Sequence, residues 1–200
     1  MDSNSQSRIG LLGGSFDPPH NGHLTIARES LDQFSLDRVL FIPAAQSPLK
    51  EHSPRTSDQH RVDMLELAIG GEERFEIYLD EIERGGVSYS FETANSVQQR
   101  FPNAQLFWIL GGDQAHQLGQ WRNVGNLAKT VEFICLPRNG EELLNFSLPP
   151  EIHLHTLDIP MIKISSTQIR QSLDDRPDSN PLLQESVIEY IKTNNLYTSL

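Results

Sequence analysis

A chain of 200 residues with 37% hydrophobic and 22% charged side chains can bury one sizeable core and reads as a single soluble globular domain. Its formal net charge of −11 argues against DNA or RNA as partner, since phosphate backbones call for many Lys and Arg contacts, but leaves room for a small anion held by a few converging donors. Cys135 is the lone cysteine and closes no internal disulfide, the N-terminus "MDSNSQSR" lacks a basic-then-apolar leader, and no apolar run nears the roughly 18 residues of a membrane span, so a cytoplasmic protein with no membrane partner is expected.

Along the chain, the first predicted strand is "RIGLL" (8 to 12), followed by a helix with Leu24, Ala27, Leu31 and Phe34 on one face. "RVLFIP" (38 to 43) is the second strand, and Val62, Leu65 and Ile69 after Ser57 mark the second helix. Strands at 75 to 79, 105 to 110, 130 to 137 and 151 to 157 follow, with a helix after Ser90 carrying Phe91, Ala94 and Val97. Two helices close the chain, from about Ser166 to Leu173 and from about Pro181 to Thr193, separated by the polar loop "DDRPDSNP". Strand and helix in alternation predict right-handed βαβ units, hence an α/β fold with a mostly parallel sheet and crossover helices on both faces. Ligands of such sheets bind outside the carboxyl ends of the strands.

The stretch "GLLGGSFDPPHNGH" occupies that position after the first strand. Gly13 and Gly14 let main chain approach a ligand with no Cβ between, although a glycine pair by itself equally marks a tight strand-to-helix turn. Two prolines then precede a helix starting near Asn21 or Gly22, which places His20 and His23 one turn apart at its positive end. Imidazoles there can donate hydrogen bonds to an anion in the cleft. A zinc site is disfavoured, because helical zinc ligands of hydrolases stand four apart with an intervening Glu. Near the C-terminus, "ISSTQIR" (164 to 170) combines Ser165 as N-cap, Gln168 three residues on, the hydroxyls of Ser166 and Thr167, and Arg170. That is either an anion receptor at a helix N-terminus or an ordinary capped surface helix.

"GGSFDPPHNGH" followed by "ISSTQIR" resembles the two signatures of the HxGH nucleotidylyltransferase superfamily, and the whole run from Ile9 to Tyr197 resembles the bacterial nicotinate-nucleotide adenylyltransferases. The resemblance implies a Rossmann-like fold with a small C-terminal helical part. It also implies transfer of AMP from ATP to nicotinate mononucleotide, giving deamido-NAD and pyrophosphate in NAD biosynthesis. The acceptor phosphate is the nucleophile, so catalysis reduces to positioning and charge neutralisation at the α-phosphorus.

By the same resemblance His20, His23 and Arg170 are the catalytic residues, and Gly13, Gly14, Ser15, Phe16, Gly111, Asp113, Ser165 and Ser166 line the ATP site. Ser90 in "VSYSFET" and Trp121 in "GGDQAHQLGQW" would hold the nicotinate end, Trp121 by stacking on the pyridine ring. Magnesium is implied through substrate phosphates, with no protein metal site. Lys50 is expected near a phosphate, but it belongs to "SPLK", where the family has Pro-Pro-His-Lys, so one histidine donor is missing. His60 and Arg61 are read as structural. The alternatives are a nicotinamide-mononucleotide or pantetheine-phosphate adenylyltransferase, the latter disfavoured by His20 and by length, or a silent nucleotide-binding regulator. A homo-oligomer is compatible with all of these.

Overall fold

The computed structural model describes residues 6–48, 54–137, 150–160, 164–175 and 180–198. In chain order these give β1 (Arg8–Gly14), α1 (Asn21–Gln33), β2 (Arg38–Pro43), α2 (Asp58–Ile69), β3 (Phe75–Ile77), α3 (Asp80–Arg84) and α4 (Ser90–Arg100). Then come β4 (Gln105–Gly111), α5 (Gly112–His116), a 3-10 turn (Leu118–Gln120), α6 (Val124–Thr130), β5 (Val131–Leu136), β6 (Leu154–Thr156), α7 (Ser166–Asp175) and α8 (Glu185–Thr193).

All six strands are parallel, in the order β3-β2-β1-β4-β5-β6. Continuous apolar runs are what a sheet covered on both faces requires, because each strand alternates its side chains between two cores. Leu12, Val39, Phe41, Phe107 and Ile109 pack with Leu24, Ala27 and Leu31 of α1, Met64 and Leu65 of α2, Ile169 of α7 and Val187 of α8. Their neighbours in sequence, Leu11, Leu40, Ile42, Leu106, Trp108 and Leu110, point the other way and pack with Ala94 and Val97 of α4, Ala115 of α5 and Leu127 of α6. The chain therefore leaves β1 toward one face and β4 toward the other, and these two strands are neighbours. A crevice opens where the crossovers diverge, at the carboxyl ends of β1 and β4.

Several boundaries differ from the sequence expectation. β1 runs two residues further, to Gly14, because its ladder with β2 continues through Gly13 beside Ile42 and Gly14 beside Pro43. The last strand shrinks to Leu154–Thr156. α3, α5 and α6 were not expected; at five, five and seven residues they are too short to display a 3.6-residue repeat. α8 begins at Glu185 rather than near Pro181, because the residues before it form a turn: the side chain of Asn180 accepts from the Leu182 N–H at 3.0 Å. The carbonyl of Leu182 in turn accepts from the Asn21 N–H at 2.8 Å, closing the first turn of α1. Among the described residues no helix is long and apolar enough to cross a membrane.

Candidate active site

The segment from Gly13 to His20 is held from several directions. A Cβ on Gly14 would lie 3.0 Å from the Phe16 ring, so this glycine is what lets the ring fold back beneath the end of β1. Phe16 takes a left-handed backbone (φ 48°) and is only 1% exposed. Its side chain is thus part of the core rather than a wall of the cleft: it meets Phe41 and sets its edge against His23, ring centroids 4.9 Å apart. The Ser15 carbonyl accepts from Nη1 of the fully buried Arg61 at 2.7 Å, while Nη2 reaches Asp58 at 2.6 Å. Arg61 is structural, as expected, and its neighbour His60 joins α2 to α8 by a 2.9 Å hydrogen bond between Nδ1 and the Tyr190 hydroxyl.

Asp17 is the hub of the segment, and sequence reading did not single it out. It is 2% exposed; its carboxylate accepts from the Arg55 N–H, the Thr56 hydroxyl and the Tyr197 hydroxyl, each at 2.7 Å. Burial of a charge is tolerable only when it is paired and hydrogen-bonded, and here the three donors come from two separate parts of the chain. Tyr197 completes the set from beyond α8, and burial together with the Asp17 charge pushes its hydroxyl pKa up.

His20 is the N-cap of α1 and His23 its third residue, one turn apart at the start of the helix, as expected. The backbone N–H of His20 donates to Nδ1 of His23 at 3.2 Å, and the two rings stack with centroids 3.6 Å apart and planes 17° from parallel. Two cations at that separation would repel strongly, and burial settles which stays neutral: His20 is 6% exposed, and desolvation lowers its pKa from 6.5 to about 4. Its Nδ1 is buried with no hydrogen-bond partner among the described residues. A buried polar atom left that way is uncommon and suits a site completed by a ligand.

The C-terminal motif meets this segment directly. The Ser166 hydroxyl donates to the Pro18 carbonyl at 3.0 Å, and Arg170 Nη1 donates to the Asp17 carbonyl at 2.6 Å, with the Asp17 carboxylate 3.8 Å away. Arg170 Nη2 also donates to the Thr167 hydroxyl at 3.2 Å. Ser165 caps α7 as expected, accepting from the Gln168 N–H at 3.3 Å, while its hydroxyl donates to the Gln168 side chain at 3.2 Å. The hydroxyls of Ser166 and Thr167 are therefore engaged with protein, and the motif's first contribution is to lock α7 onto the Asp17–Pro18 turn. A guanidinium carries five N–H donors, more than Asp17 and Thr167 use.

Beside the glycines lies a cavity of about 290 Å³. Gly13, Gly14 and Ser15 line one side, and Ser90, Trp121 and Trp108 are among the residues lining the rest. The structure thus brings Ser90 and Trp121, from separate crossovers, into one space with the end of β1; His20, His23 and Arg170 are not among its lining residues. Trp121 is half-buried and sets its ring at 85° to Trp108, centroids 6.2 Å apart. Ser90 is the first residue of α4. Gly111 ends β4, and Asp113 sits exposed in the first turn of α5, outside the cavity wall. Lys50 lies outside the described residues.

Sequence reading missed three further residues of the wall. Gln114 accepts from the Gly111 N–H at 3.3 Å and so braces the end of β4. Glu81 is 4% exposed, accepts from the Thr93 hydroxyl at 2.6 Å, and has its pKa raised by burial against the opposing hydrogen bonds from Thr93 and Ser88. Arg122 lays its guanidinium carbon 4.5 Å from the centroid of the Tyr89 ring. Glu81 and Arg122 sit in acidic and polar surface-type runs, which give no pattern signal of a cavity.

A cytidylyltransferase-like family model matches residues 11–172. The Opitutus terrae protein named "probable nicotinate-nucleotide adenylyltransferase" is 40% identical over 190 residues, covering 95% of this chain and 97% of its own. The nicotinate-nucleotide adenylyltransferase of Bacillus subtilis is 39% identical over 192 residues, covering 96% and 99%. Among solved structures, Plasmodium falciparum nicotinic acid mononucleotide adenylyltransferase complexed with NaAD superposes with a TM-score of 0.75 at 20% identity, over 96% of this chain and 97% of that one, a likeness of fold.

Proposed function

The chain belongs to the nicotinate-nucleotide adenylyltransferase family, and we propose that it transfers AMP from ATP to nicotinate mononucleotide through the site just described, giving deamido-NAD and pyrophosphate. The observation that carries this reading is the meeting of the two motifs: Ser166 and Arg170 of α7 hydrogen-bond the Asp17–Pro18 turn that leads into His20 and His23. Imidazoles and a guanidinium drawn from opposite ends of the chain so converge at one strand edge.

The acceptor phosphate attacks the α-phosphorus and pyrophosphate leaves. The difficulty is the approach of several negative charges, so the protein's part is to hold both substrates in line and to offset charge as it develops. His20, kept neutral by burial, donates through an N–H rather than as a cation, and its stacking on His23 fixes the plane of that donor. Arg170, anchored at Asp17 and Thr167, supplies a fixed positive charge for the departing phosphates with little reorganisation. The backbone of Gly13 and Gly14 and the Ser15 region give the nucleotide a close approach, and the neighbouring cavity takes the acceptor, with Trp121 for the pyridine ring and Ser90 near its substituent. Magnesium bound through the substrate phosphates would neutralise further charge. Among the described residues no group of three or more His, Cys, Asp or Glu gathers, and the Asp17 carboxylate is occupied by its own donors, so the substrate phosphates would be the ion's principal ligands. We place the enzyme in the cytoplasm.

The test is pyrophosphate release from ATP and Mg²⁺ with nicotinate mononucleotide or its amide as acceptor. The wild type turns over the acid form, and His20→Ala and His23→Ala each lower kcat by about 10² or more while unfolding cooperatively. Unchanged turnover in both variants removes the histidines from the mechanism, and activity with neither acceptor leaves a nucleotide-binding module.

A further inference from the structure

The cavity beside β1 has an asymmetric charge. Of the described residues that line it, Arg122 is the only lysine or arginine, and Glu81 is the only acid. Glu81 is buried behind hydrogen bonds from its neighbours, whereas Arg122 is exposed at the rim.

Arg122 is also held in place. It follows Trp121 directly, precedes Asn123 in a left-handed conformation (φ 54°), and lies over Tyr89, the residue immediately before Ser90. A guanidinium over an aromatic ring keeps its charge and its in-plane donors while losing rotational freedom, which an unanchored lysine would retain. The cation is thus tethered between the tryptophan and the serine that bracket the pyridine end of the acceptor.

Resting on the reaction assigned above, we propose that Arg122 is a specificity-determining residue that favours an acceptor carrying a carboxylate on its pyridine ring over one carrying a carboxamide. The two mononucleotides share phosphate, ribose and ring; they differ by one negative charge at the substituent. A fixed cation in the same small cavity interacts with that charge and has nothing equivalent to gain from a neutral amide, so its contribution appears in the ratio between acceptors rather than in the chemical step.

The experiment measures kcat and KM for both acceptors in wild type, Arg122→Gln and Arg122→Lys. In Arg122→Gln the acid-to-amide ratio of kcat/KM falls about tenfold, through a raised KM for the acid form, with kcat for the acid form held within about twofold. Arg122→Lys, which keeps the charge but not the planar stack, retains most of the ratio. A ratio unchanged in Arg122→Gln, or an equal loss with both acceptors, overturns the inference while leaving the reaction intact. A wild type active with neither acceptor overturns the reaction itself and the inference with it.

Discussion

Replacing His20 by Asn should make the protein more resistant to acid than the wild type, even as it removes activity. Native His20 is buried and titrates at about 4, whereas the same imidazole in the unfolded chain titrates near 6.5. Between those values the unfolded state binds the extra proton, so stability falls as pH falls through the window and the loss is complete below the lower value. At pH 4.5 the two constants give a destabilisation of about 2.5 kcal/mol relative to pH 7.5, of a total of about 3 kcal/mol. Asparagine cannot take up that proton. With a urea slope of about 2 kcal/mol per molar, the wild-type midpoint should drop about 1 M further than that of His20→Asn between pH 7.5 and 4.5. Titrating groups remote from His20 are common to both proteins and cancel in the difference. The assay is urea unfolding followed by tryptophan fluorescence, since Trp108 and Trp121 lie in the core and in the cavity wall. Midpoints that move in parallel would show that His20 is not buried neutral, and the argument that its N–H acts as a neutral donor would fail with it.

Two other substitutions probe the supports of the site. Tyr197→Phe removes one of three donors to the buried Asp17 carboxylate and should cost about 1.5–3 kcal/mol, the range for a hydrogen bond to a charged group, read as a lowered denaturation midpoint; a change under 0.5 kcal/mol would mean that the tail does not brace Asp17. Gly14→Ala sets a methyl 3.0 Å from the rigid Phe16 ring, which bears on His23, so a loss of about 1–3 kcal/mol should be accompanied by a drop in kcat; retention of full turnover would uncouple the ring from the histidine.

The family assignment and the wider expectations stand on different footings. Identity of 39–40% across nearly the whole of two relatives carries the family and its reaction, and the parallel sheet agrees with the fold that follows from strand and helix alternation. The individual roles of Ser90, Trp121 and Asp113 are proposals that geometry now makes specific: the first two line one cavity with Gly13, and the third stands outside it.

What the sequence determined by itself was local or repetitive. Apolar runs of five or six residues specify strands, the spacing of Leu24, Ala27 and Leu31 specifies a helix, and Ser57 and Ser165 announce helix starts that the structure keeps, because each depends on groups within a few residues. The two motifs were legible for the same reason. Tertiary structure decided everything that needed distant partners. It turned Phe16 into the core, made Asp17 a hub for Arg55, Thr56, Arg170 and Tyr197, and put Glu81 and Arg122 into a wall shared with Trp121. Hydrogen bonds and charge pairs between segments have no period along the chain, so nothing in the order of residues announces them until the sheet has brought the strand ends together.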